Sequence, residues 1–142
     1  MANTSFLTKS IYPYVLKEVN TKLKLSLVES KIAVGSPAKE KKFDGVSADK
    51  KTILSIFTSS GYSKSGKLPV GKINALYATC YMMNLTGATR KILAFSNEEF
   101  MKIIIHKCKP FLEGFELIYV QLSDELKELC EDIGRNASDE MG

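Results

Sequence analysis

The sequence predicts a mixed α+β (α/β) fold: a single domain with an αβββαβ core, in which a mixed five-stranded sheet is flanked by helices. Three observations lead there. At 142 residues the chain is long enough to close one core and too short for two. Its first half alternates short aliphatic runs with turn residues, as an antiparallel meander does. Its second half alternates strand-length apolar runs with stretches of helical period, as β-α-β units do.

Taken in order, Ser10 is placed to cap a helix whose apolar positions Tyr12, Val15, Leu16, Val19 and Leu23 recur at helical spacing, with Pro13 tolerated in the first turn. Residues 25–34 read as a strand closing at Gly35-Ser36-Pro37, residues 39–42 as a polar connection, and 43–47 as a second strand. A tight turn over 48–51 leads into a third strand over 52–59, and 59–66 form a glycine- and serine-rich loop. A helix follows Pro69 to about Thr86, presenting Val70, Ile73, Leu76, Tyr77, Cys80 and Leu85 near one face, with Gly87 as its stop. Residues 90–96 give a fourth strand. Ser96 and Glu99 then form a capping box on a helix ending before Pro110. Residues 115–122 give a fifth strand, and Ser123 opens a last helix that stops at Gly134. The domain is therefore expected over 1–134, with 135–142 a disordered tail.

Composition excludes several classes. Apolar residues at 44% and charged residues at 25% fit a globular domain rather than a disordered chain. No apolar run approaches a membrane span, and the N-terminus lacks a signal-peptide core. Cys80, Cys108 and Cys130 are odd in number and widely spaced, which suits a reduced cytoplasmic compartment and gives no zinc spacing. Cys80 and Cys130 read as small core hydrophobes. His106, the only histidine, lies late in a helix beside Lys107 and Lys109, where the helix dipole favours positive charge.

The charge is unevenly divided. Residues 1–72 hold thirteen lysines against five acids, a net +8, and residues 73–142 carry a net −4. A basic half of this kind points to a polyanionic partner.

Within it, Gly66-Lys67-Leu68-Pro69-Val70-Gly71-Lys72-Ile73 has the glycine and lysine spacing of a phosphate-binding loop between a strand and a helix. Ile73 stands where the magnesium-holding hydroxyl is needed, and Pro69 removes an amide donor. Nucleotide hydrolysis is therefore not expected. The segment reads instead as an anion site: Lys64, Lys67 and Lys72 beside a helix N-terminus, with Ser59, Ser60, Tyr62, Ser63 and Ser65 as hydroxyl donors for phosphate oxygens.

The element order, together with Phe43-Asp44-Gly45-Val46 on the second strand, resembles the PD-(D/E)-x-K nuclease family, the restriction-endonuclease-like fold. In that family a first-helix glutamate, a second-strand aspartate and a third-strand acid-x-lysine triplet hold a divalent cation and activate water. Matched residue by residue, the helix acid falls on Glu18 and the aspartate on Asp44. The acid and lysine positions fall on Ser55 and Phe57, which alternation places on the face meeting Asp44. Neither can do the family's work. The resemblance thus implies a nuclease fold with a degenerate centre that binds nucleic acid, or a nucleic-acid-processing partner, through its lysine-rich face. The alternative is an active Mg²⁺-dependent nuclease in which Asp44 and Glu18 hold the metal, Lys72 or Lys67 replaces the lost lysine and Glu29 the lost acid. A further alternative is a homodimeric interaction protein using Tyr77, Tyr81, Met82 and Met83 as a shared face.

Overall fold

The computed structural model describes residues 7–62 and 65–128. Helix α1 (Tyr12–Leu23) precedes a meander of β1 (Val28–Val34), β2 (Lys39–Val46) and β3 (Thr52–Phe57). Helix α2 (Val70–Asn84), β4 (Arg90–Phe95), α3 (Glu98–Cys108) and β5 (Phe115–Tyr119) complete the sheet. Its order is β1-β2-β3-β4-β5, with β1–β2 and β2–β3 antiparallel and β3–β4 and β4–β5 parallel. The expected mixed α+β single domain with a five-stranded sheet is what forms. The tail over 135–142 and Cys130 lie outside the described residues.

Alternation along the central strands sorts the core into two layers. Leu54, Ile56, Ile92 and Ala94 pack against Ile11, Val15 and Val19 on the α1 side. Ile53, Leu93 and Phe95 meet Leu76, Met83, Phe100 and Ile104 on the α2–α3 side. Both crossovers therefore lie on one face, and the N-termini of α2 and α3 come to the edge where β3 and β4 end.

Several local expectations change. Ser10 is no cap: a π-helical turn over Leu7–Ile11 runs straight into α1, and fully buried Ile11 anchors the junction. At its other end α1 closes on left-handed Lys24, and Asn20 clasps the turn into β1 by donating Nδ2–H to the Leu27 carbonyl and accepting the Leu27 N–H. Lys39–Lys42 are strand rather than connection, because each finds a partner on β1 from Val34 back to Lys31. The cap of α3 is Asn97, whose Oδ1 accepts the Phe100 N–H at 2.9 Å, and not Ser96 with Glu99. On α2 the buried stripe is Ile73, Leu76, Cys80 and Met83, while Val70 and Leu85 are exposed. Met83 is fully buried and Tyr81 is 68% exposed, so the tyrosines and methionines of α2 do not form one face. Burial and the neighbouring Cys108 push the Cys80 thiol up to about 11, in keeping with a packed, unreactive sulfur.

Candidate nucleic-acid interface

Asp44 occupies an irregular point of the sheet. Val28 pairs with Val46 and Ser30 with Phe43, so β2 carries one extra residue at Asp44–Gly45 opposite Glu29, a β-bulge. The bulge bends β2 away from β3, and the two strands pair only at Gly45–Leu54 and Val46–Ile53. An unbroken ladder would give the Ile56 N–H to the carbonyl of Phe43. Asp44 supplies the substitute: its Oδ2 accepts that N–H at 2.7 Å. Gly45 is required beside it, since a Cβ there would press on Leu27, Leu16 and Leu54 at 3.0–3.2 Å.

Burial pushes the Asp44 carboxyl above its ordinary range, the Ile56 amide pulls it back, and the nearby Glu29 charge raises it again. Glu29 itself pairs with Lys42 at 3.4 Å. The carboxylate is thus a structural acceptor inside the sheet.

The other residues expected to join it do not. Ser55 and Phe57 face α2 and α3: the Ser55 hydroxyl donates to the Met83 sulfur, and Phe57 stacks on Phe95 at 5.5 Å between ring centres. Glu18 sits on the wrong flank of α1. Leu16 reaches Gly45, whereas Tyr14 and Lys22, one turn either side of Glu18, reach the carbonyls of Gln121 and Tyr119 at the end of the far edge strand. At 100° per residue Glu18 shares their flank and turns away from Asp44. Among the described residues no three His, Cys, Asp or Glu side chains converge to hold a metal ion.

Ser59, Ser60, Lys67 and Lys72 do share a region, the edge where β3 ends and α2 begins. Lys67 and Lys72 are exposed, and Lys64 lies outside the described residues. The two helices that start here differ. Asn97, Glu98 and Glu99 cap and neutralise the first turn of α3. By contrast, α2 opens at Pro69 with no side-chain cap and no acid in its first turn, so its amides and the lysines beside them favour an anion.

One contact at this edge was not legible in the sequence. Glu99 accepts the Tyr62 N–H at 2.6 Å and lies so close to buried Gly61 that a Cβ there would collide with its carboxylate. The glycine- and serine-rich loop is therefore tied to α3 at 61–62, and only the missing side chain of Gly61 hints at it. Replacing Glu99 by alanine is expected to speed hydrogen exchange at the Tyr62 amide by on the order of tenfold, with little change in the global unfolding midpoint. Unchanged exchange would show that the loop is held by other contacts.

The lysine-rich half carries its charge on the solvated surface. Of its described lysines Lys41 alone is half-buried, above the Phe43 ring at 5.7 Å, and the others are exposed. Among the described residues no helix is long and apolar enough to cross a membrane. Comparison with family models, with curated proteins and with solved structures finds no match to this chain.

Proposed function

We propose that this protein is a nuclease-like domain that binds nucleic acid without cleaving it, through the lysine-rich face centred on the start of α2. A first helix, a three-stranded meander and a following β-α-β unit support the restriction-endonuclease-like reading. The observation that carries the binding half is the uncapped, acid-free N-terminus of α2 flanked by exposed Lys67 and Lys72. The observation against catalysis is the commitment of Asp44 to the Ile56 amide, with Ser55 and Phe57 turned into the opposite layer of the core.

Lysine contacts to phosphate carry no base information, so binding is expected to be salt-sensitive and largely indifferent to sequence. Fluorescence anisotropy with single- and double-stranded DNA and RNA over a salt series tests this. The double variant Lys67→Ala/Lys72→Ala is expected to bind more weakly and to reduce the slope of log affinity against log salt by about 2. A control pair on the acidic half, Lys107→Ala/Lys127→Ala, should bind as the parent does. No binding at low salt would end the proposal. Mg²⁺-dependent cleavage lost in Asp44→Asn would replace it with an active nuclease.

A further inference from the structure

The two edges of the sheet are built differently. The β1 edge is protected: exposed Glu29 and Lys31 lie along it, and the Asp44–Gly45 bulge distorts the strand beside it. The residues of β5 itself supply none of these devices. Phe115–Tyr119 contains no proline, no lysine and no bulge, and its one charge, Glu116, is neutralised by a two-pronged bond from Arg90 at 2.7 and 3.0 Å. Beside it lies an open apolar groove of about 660 Å³ between Leu117 and the outer side of α3. Ile105 on that groove is 41% exposed.

The backbone of this edge has a particular pattern. The Val120 N–H donates inward to the Phe95 carbonyl, so alternation turns the N–H and C=O groups of residues 115, 117 and 119 outward. Two of those six are used within the chain: the Phe115 N–H by the Leu112 carbonyl, and the Tyr119 carbonyl by Lys22 Nζ. No described strand pairs with the rest.

That pattern is its own complement. If a second β5 runs antiparallel about a two-fold axis at Leu117, residue 117 meets 117 and residue 115 meets 119. Leu117 then exchanges two bonds with its counterpart, and each Tyr119 N–H reaches the opposite Phe115 carbonyl. The two groups already used would have been partners of each other, so none is left unmet. The same axis sets neutralised Glu116 opposite Ile118, so no like charges oppose the pairing, and it brings the two apolar grooves together. We propose that the β5 edge is the contact between two copies of this chain, joined in one ten-stranded sheet.

This is independent of nucleic-acid binding, and sedimentation velocity on the full chain over a concentration series tests it. The expected result is a dimer that dissociates at least ten times more readily in Ile105→Lys, whose exposed position spares the fold. Residues 117 of the two copies would lie about 5.5 Å apart at Cα, within disulfide range. Leu117→Cys should therefore cross-link under air oxidation more than the parent, and Val28→Cys on the β1 edge should not. A parent chain that stays monomeric overturns the proposal and leaves the edge to a foreign strand. A dimer indifferent to Ile105→Lys, with no cross-link at 117, overturns it as well.

Discussion

Alanine at position 95 is expected to lower the free energy of unfolding by about 3–5 kcal/mol, read as a fall in the urea midpoint at unchanged slope. Phe95 is fully buried at the end of β4, with Phe57 stacked on it at 5.5 Å and Phe100 tilted against it at 5.9 Å. Truncation leaves a cavity bounded by two stiff rings and the central strands, which have little freedom to collapse into it. The three rings also form the floor beneath the β3–α2 edge, and Glu99, the loop's tether, is the neighbour of Phe100. The variant should therefore loosen the loop as well, and leucine at the same position should recover more than half of the loss. A shift below about 1 kcal/mol would mean that the aromatic layer repacks freely.

The second large effect is expected at Asp44, where the choice of replacement separates two roles. Asp44→Ala leaves the Ile56 N–H without its acceptor in the interior of the sheet and should cost about 1–3 kcal/mol. Asp44→Asn keeps an oxygen for that amide and removes the charge. The folded-state carboxyl titrates above its unfolded value of 3.8, so the folded chain holds its proton more tightly. Asp44 thus favours the fold most below pH 3.8, and that contribution is lost as pH rises through the raised folded value. The asparagine variant should lack this segment of the pH–stability curve and be at least as stable as the parent at pH 7. Urea unfolding of parent and variants between pH 3 and 7 reads both effects. An asparagine variant as weak as the alanine one would show that the charge itself holds the strand.

The sequence carried the fold in its periodicities. The αβββαβ order, the antiparallel meander and the parallel unit were all legible because buried strands and amphipathic helices must repeat at fixed intervals. Positions governed by long-range pairing were not. Lys39–Lys42 look like a solvated link until β1 is laid beside them. Ser96 and Asn97 are both good caps, and only the backbone at the end of β4 decides between them. Asp44 matches the second-strand aspartate of the nuclease pattern in sequence, but one inserted residue changes which groups it meets. Strict alternation placed it with Ser55 and Phe57, whereas the bulge aimed it at a backbone amide. Glu18 belongs to an acidic site only if rotation about α1 is ignored, and Leu16 and Lys22 fix that rotation.

The short pairing between β2 and β3 also bears on how the molecule comes apart. With two residue pairs in its ladder, the Asp44–Ile56 bond beyond them and the Ser47–Thr52 bonds at the turn, this line is the most sparsely paired in the sheet, whereas β4 pairs with β3 from Arg90 to Phe95 and with β5 from Lys91 to Phe95. Stability is then unevenly shared: the β1–β2 ribbon is positioned to open as a unit while β3, β4 and β5 stay closed. The lysines of that ribbon therefore ride on the part of the sheet least tied to the central strands, whereas Lys72 is carried by α2 on the side that stays closed.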